Sequence, residues 1–395
     1  MKAFLILENG TVFEGTHIGA DKEVISEIVF DTAMVGYLSV LTDPTYAGQA
    51  VCMTYPLIGN FGISKEDMQS SKVWPDGFIV KELSRIPSNF RCDISIQEFL
   101  EEHHVAGIAG IDTRALTKIL RDQGTMNGMI TTNCAFDKEE VLQRIKAYKV
   151  GRAVEKVTCQ VPYQVAHTTD LAQNGPLSGS ARFDKDAYEK GEREPIPTNV
   201  KELNGLGLSA AVLDLGATAD VIQALAIRGC SVSVYPAHTK AEEILAAQPD
   251  GILISNGPGD PKEYPEIVEE LKKIYESDIP VFAIGLGHQL MALATGADTY
   301  KMKCGHRGGN HPSKDLVTGQ VHIVTLKQGY AVDASTLDAA KMRETGRNVN
   351  DGTNTAIDYV GKKIFSVQYR PEGNGGLLSS SYLYDRLITM MKGEN

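Results

Sequence analysis

Two short segments in the C-terminal half carry residue types and spacing suited to acyl chemistry. Phe282-Ala283-Ile284-Gly285-Leu286-Gly287-His288-Gln289 reads as a strand, a sharp turn at residue 285 and a helix, the shape of a nucleophile elbow. Ser255-Asn256-Gly257-Pro258-Gly259-Asp260-Pro261 follows another strand and precedes another helix. Its glycines would let backbone N–H groups come close to a ligand, as an oxyanion hole requires. The central residue of an elbow should be Ser or Cys, whose oxygen or sulfur attacks the carbonyl. Here it is glycine. Taken singly, the loop reads equally as a Gly/Pro helix cap, and the elbow as a purely structural turn.

The elements around these segments predict how they are held. From about Leu208, the apolar runs Ala210–Leu213, Ser231–Tyr235, Gly251–Ser255 and Val281–Ile284 alternate with helical patterns at Ala219–Ile227, Lys240–Ala247 and Glu263–Tyr275. That alternation implies βαβ units and a mostly parallel sheet flanked by helices, with ligands outside the carboxyl ends of the strands. The first 150 residues read differently, as a mixed β/α domain. Ala3–Leu7, Thr11–Glu14 and Ile25–Phe30 look like strands, the first ending at an Asn9-Gly10 turn. Ile96–His104 and Asp112–Asp122 look like helices, with Asp112 as an N-cap and Gly124 as a stop. Residues 151–205 are polar and punctuated by Gly and Pro, the composition of a linker or surface excursion, which leaves 206–395 as the second domain.

Composition narrows the function. The 395 residues suggest two or three domains. Lys and Arg total 39 against 50 Asp and Glu, a net charge of −11, and no basic stripe overrides it, which argues against nucleic acid as a partner. The six cysteines are scattered with no C-x-x-C pair, so reduced thiols in a cytoplasmic protein are expected, and no metal site. Ala3–Leu7 is too short for a secretory core. Ile279–Ala297 is uncharged and about the length of a bilayer span, but its Pro280, Gly285, Gly287 and Gly296 favour a buried strand, turn and helix. No membrane partner is expected. No P-loop is present, so no cofactor is expected on this chain.

The elbow and the glycine loop together resemble the class I glutamine amidotransferase domain, and the whole chain is similar to the small subunit of carbamoyl-phosphate synthase. The N-terminal blocks that carry this likeness are Thr42-Asp43-Pro44-Thr45-Tyr46, Thr54-Tyr55-Pro56-Leu57-Ile58-Gly59-Asn60, Pro87-Ser88-Asn89-Phe90-Arg91 and Gly110-Ile111-Asp112-Thr113-Arg114-Ala115-Leu116-Thr117. The C-terminal blocks are Gly305-His306-Arg307-Gly308-Gly309-Asn310-His311-Pro312, Gly329-Tyr330-Ala331-Val332-Asp333 and Asn350-Asp351-Gly352-Thr353-Asn354. The resemblance implies that the N-terminal domain docks on a large subunit. That subunit would use ATP, Mg and bicarbonate to make carbamoyl phosphate for pyrimidines and arginine. It also implies a glutaminase built from a Cys on the elbow, a His followed two residues later by a Glu, and backbone amides as the oxyanion hole.

Residue by residue, this chain departs from that pattern at the reacting atoms. The nucleophile position is Gly285, the base position is Arg370, and the third position, Glu372, remains with no imidazole to orient. Leu286, Gln289, Gly257, Gly259 and Gly329 match the implied glutamine pocket and backbone hole, and Tyr330 keeps its aromatic ring. Thr45 stands for Ser, Thr218 for Lys, and Lys327-Gln328 for an Asn-His pair. Cys304, beside His306, is the nearest other thiol; its implied counterpart is Phe, which points to packing. His288 is expected to face helix packing, and no histidine follows His322. Arginine cannot deprotonate a thiol at neutral pH, so the glutaminase is expected to be lost. The Arg370 and Lys327 cations would favour a small anion over glutamine in the vestigial pocket, unless Glu372 neutralises Arg370. Two roles follow: a small subunit that supports or regulates ammonia-dependent synthesis, or a stand-alone pseudo-amidotransferase that binds a metabolite or a partner.

Overall fold

The computed structural model describes residues 1–165, 207–373 and 380–393. Seven strands of the N-terminal part close into a barrel. They are β1 (Lys2–Leu7), β2 (Val12–Gly19), β3 (Val24–Asp31), β4 (Gln49–Met53), β5 (Gly77–Ile79), β6 (Ala106–Ala109) and β7 (Met126–Thr131), in the order β1-β2-β6-β5-β4-β3-β7. Alternation builds it: on β4, Ala50 and Cys52 enter one apolar cluster while Val51 and Met53 enter another. Helix Thr113–Gln123 adds Leu116 and Leu120 to the first cluster, and helix Ile96–Glu102 adds Phe99 and Leu100 to the second. The expected caps are present: the Asp112 side chain accepts from the Ala115 N–H, and Gly124 ends the helix at φ 102°.

The second part is a ten-stranded sheet. Its strands are β8 (Tyr163–Val165), β9 (Ser209–Asp214), β10 (Ser231–Pro236), β11 (Gly251–Ile254), β12 (Val281–Ile284), β13 (Thr299–Asp315), β14 (Val321–Val332), β15 (Met342–Asn348), β16 (Asn354–Tyr359) and β17 (Ile364–Val367). The order is β8-β10-β9-β11-β12-β17-β16-β15-β13-β14. The five strands from β10 to β17 are parallel and covered on both faces, as the alternation requires. Helices Pro265–Glu276 and Leu286–Ala294 pack on one face, and helices Ala219–Ala226 and Tyr382–Met391 on the other.

Two features differ from the sequence reading. Beyond β17 the sheet turns antiparallel, ending in the long hairpin β13–β14, whose glycines and charged residues hide its strand character. Residues 151–165, read as linker, belong to the second domain. Val154 lies in its core, the Val154 N–H donates to the Tyr264 hydroxyl at 3.0 Å, and β8 pairs with β10. The expected excursion from Gln173 to Pro197 lies outside the described residues. Among the described residues, no helix is long and apolar enough to cross a membrane.

The two parts are stitched through the β13–β14 hairpin. The Thr32 N–H and hydroxyl both donate to the Arg307 carbonyl, at 3.1 and 3.0 Å, and the Thr125 N–H donates to the Lys303 carbonyl at 2.8 Å.

Candidate functional site

Strand β12 ends at Ile284, and the chain turns at Gly285 (φ 59°, ψ −113°) into helix Leu286–Ala294. The elbow is therefore intact. The Gly285 N–H donates to the Val367 carbonyl at 2.9 Å, which hangs the turn on the neighbouring strand. A Cβ built on Gly285 would sit 3.2 Å from Asn256 Cβ and 3.4 Å from Asn256 Cα, tighter than ordinary van der Waals contact. Across from it, Gly257 brings the loop after β11 against the strand-end of β9: a Cβ there would lie 2.2 Å from the Leu215 carbonyl oxygen. Glycine is required at 257 by that close approach. In the first turn of the helix the Gly287 N–H donates to the Ser255 carbonyl at 3.1 Å and the Gln289 N–H to the Gly285 carbonyl at 3.3 Å, which ties the elbow to the glycine loop.

The base position lies past β17. The Arg370 backbone N–H donates to Thr325, and its side chain is 2 % exposed. One guanidinium nitrogen donates to both carboxylate oxygens of Asp43 at 3.0 Å and to the Thr45 hydroxyl at 2.6 Å; the other reaches Glu372 at 3.4 Å. Lys327 Nζ donates to the same Asp43 carboxylate at 3.1 Å. The Tyr384 hydroxyl donates to the far oxygen of Glu372 at 3.3 Å. Burial pushes the Asp43 carboxyl up, but Arg370 and Lys327 outweigh it and hold the group down at about 2. Burial also raises Glu372, and the long contact to Arg370 does not reverse that.

In this network Glu372 reaches Arg370, the neutralising alternative that the sequence left open. Arg370 and Lys327 are two cations answered by two carboxylates, Glu372 and the unforeseen Asp43. Asp43 comes from the barrel domain, where its side chain also accepts from the Thr45 N–H at 3.0 Å and caps the short turn Pro44–Tyr46. The only signal in the sequence was its place in the Thr42-Asp43-Pro44-Thr45-Tyr46 block, two residues before Thr45.

Above the network, a cavity of about 290 Å³ opens between the barrel and the second domain. It gathers Gly257, Gly259, Leu286 and Gln289 from the elbow side, Lys327, Gln328, Gly329 and Tyr330 from β14, and Thr45 from the barrel. Gln289 donates to the Tyr330 carbonyl at 2.8 Å and to Gln368 at 2.9 Å. Gly285, Arg370, Glu372 and Thr218 do not line it. Thr218 is fully buried before helix Ala219–Ala226, and its hydroxyl has no partner among the described residues.

The other thiol and imidazole candidates play other parts. Cys304 is half-buried on β13, and burial raises its thiol. His288 is fully buried on the elbow helix, Nδ1 2.8 Å from the Ser366 hydroxyl, and burial pulls it down to about 3. The folded chain keeps this imidazole neutral while the unfolded chain binds a proton near pH 6.5, so stability falls as pH drops below that value. Urea unfolding should show a total loss of about 2 kcal/mol between pH 7 and pH 5 that the His288→Gln chain lacks.

An elbow after a central parallel strand, faced by a glycine loop from the next strand and a strand-end pair from the other side, defines a class I glutamine amidotransferase domain. A family model for glutamine amidotransferase class-I matches residues 211–390, and one for the carbamoyl-phosphate synthase small chain, CPSase domain, matches residues 5–130. The chain is 39% identical over 393 residues to the carbamoyl phosphate synthase small chain of Listeria monocytogenes, covering 100% of this chain and 98% of that one. With the small chain of Clostridium perfringens it shares 42% identity over 388 residues, 98% of this chain and 99% of the relative. This chain belongs to the carbamoyl-phosphate synthase small-chain family.

Proposed function

We propose that this chain is a small subunit of carbamoyl-phosphate synthase whose glutaminase centre is inactive, and that it supports or regulates ammonia-dependent synthesis by a large subunit. One observation carries the reading: the elbow has no nucleophilic atom at Gly285, and the base position holds a guanidinium locked against Asp43. A thioester needs a thiolate and a group that accepts and returns its proton. The site supplies neither. Removing both members of such a pair lowers kcat on the order of 10⁶-fold.

The preserved barrel supports docking on the large subunit, on which ATP, magnesium and bicarbonate would be used. The catalysed steps then belong to that partner, and this chain contributes contact and control. The test is to express both chains, purify the complex, and measure carbamoyl phosphate with glutamine and with ammonium in turn. Product with ammonium alone is the expected result. A glutamine-driven rate comparable to the ammonium rate would overturn the reading. Failure of the two chains to co-purify would favour the stand-alone binding module instead.

A further inference from the structure

We propose that a second cavity, between helix Tyr382–Met391 and the antiparallel strands β13, β15 and β16, binds a planar, uncharged heterocycle with hydrogen-bond acceptors on its edge. It shares no lining residue with the cavity beside the elbow. The inference goes beyond the reading of the glutaminase centre and does not depend on whether that centre is active.

The space comes from small residues. Helix Tyr382–Met391 packs over the parallel strands, with the Tyr384 ring edge-on to Phe282 of β12 at 5.6 Å between centroids. Where the sheet turns antiparallel, the lining residues are short: Ser313 on β13, Gly346 on β15 and Ala356 on β16. They leave a cavity of about 280 Å³, walled on one side by Phe365 and Val367 of β17, both almost fully buried. One flat surface is already built. The Arg386 guanidinium lies 4.1 Å over the Phe365 ring and donates to both oxygens of Asp358, at 3.1 and 3.2 Å. A guanidinium held in this way offers its outer face to a second planar group. The Tyr382 ring, 45% exposed, adds an aromatic surface to the lining.

The charges along the lining already answer one another. Arg343 also reaches Asp358, at 3.5 Å, and the Asp315 carboxylate accepts from the Val317 and Thr318 N–H groups at 2.7 and 3.0 Å. Two guanidinium groups meet two carboxylates, and the one imidazole, His322, sits against Tyr382 with ring centroids 6.3 Å apart. A charged ligand would lose hydration there without gaining a free counter-ion. What is left over is hydrogen-bonding capacity. Tyr369 is 8% exposed, burial keeps its hydroxyl protonated, and that hydroxyl has no hydrogen-bond partner among the described residues. The Thr345 hydroxyl has none either, and Arg343 makes only its long contact. Hydroxyl and N–H donors without partners call for carbonyl or ring-nitrogen acceptors. A flat ring with such an edge fits the guanidinium face and the donors together, in a cavity at the lower end of small-molecule sites.

The test is calorimetric titration of the full chain with caffeine and 1,3-dimethyluracil, which are planar, uncharged and carry acceptors only. Indole supplies a flat ring without an acceptor edge, cyclohexanone a carbonyl on a puckered ring, and benzoate a flat anion. At least one of the two heterocycles should bind with Kd on the order of 1 mM or tighter, and the three controls at least about tenfold more weakly. Tighter binding of caffeine identifies a fused two-ring ligand, and of dimethyluracil a single ring. Tyr369→Phe, which removes only the hydroxyl, and Arg386→Ala, which removes the platform, should each weaken the bound heterocycle by a factor on the order of ten. If neither heterocycle binds, if any control binds equally well, or if neither substitution weakens binding, the proposal is wrong. The comparison of compounds uses the unaltered chain and stands even where Arg386→Ala fails to fold.

Discussion

Replacing Asp43 with alanine or asparagine should cost the protein about 3–5 kcal/mol, the range found when one partner of a buried ion pair is removed. Asp43 is fully buried and answers two cations at once, Arg370 at 3.0 Å and Lys327 at 3.1 Å. Without it, Arg370 keeps only the longer contact to Glu372, at 3.4 Å, among the described carboxylates. The penalty comes from stranded charge, above all on the Arg370 side chain, which is 2% exposed. The exposed pair Lys272–Glu269 provides the contrast. Breaking it with Lys272→Ala should cost less than about 1 kcal/mol. Urea unfolding at pH 7 distinguishes the two, and an Asp43→Asn chain within about 1 kcal/mol of the unaltered protein would refute the account. The pH dependence has a fixed sign. The folded group is held at about 2, below its unfolded value, so its contribution is complete above about 3.9 and fades as the pH falls toward the folded value.

The second large effect is a failure of rescue. Gly285→Cys puts a thiol back on an intact elbow, yet glutamine hydrolysis should stay near background, on the order of 10⁶-fold below an intact Cys–His centre. Arg370 cannot accept the thiol proton, and its guanidinium already donates to Asp43 and to the Thr45 hydroxyl. The substitution should also destabilise the fold by roughly 1 kcal/mol or more. The new Cβ takes a positive φ and presses on Asn256 at 3.2 Å. Ammonia release from glutamine and a thermal melt on the same preparation read both effects. Turnover near about 10 s⁻¹, an ordinary enzyme rate, would show that another group serves as base.

Much of this architecture was legible in the chain because its signals are local. Strand–helix alternation from Leu208 predicts the parallel strands, and the glycine at 285 predicts the positive φ found there. The Asp112 and Gly124 helix boundaries are equally local. The antiparallel hairpin was missed for a physical reason. On β13, Gly305, Gly308 and the bulges between Lys301 and His306 and between Gly308 and His311 break the alternation that reveals a strand. The site was half legible. Positions matched to a pattern could be named one at a time, and nine of them do line one cavity. Asp43 could not be read that way. Its importance arises from Arg370, a partner 327 residues away. Such a fact is not written in local spacing.

The Asp43–Arg370–Lys327 network also bears on whether glutaminase chemistry, if lost as proposed, could return by small steps. A histidine at 370 would restore a base but leave the Asp43 carboxylate short of its strongest partner, and the gain would be nil without a thiol at 285. A cysteine at 285 alone meets Asn256 and still lacks a base. Each single reversal therefore lowers stability before any activity rewards it, and the two useful changes pay only together. On the proposed reading of an inactive centre, such a salt-bridged core entrenches the loss. Selection can keep adjusting the contacts with a partner and the contents of the cavity, while the path back to glutamine hydrolysis runs uphill at every first step.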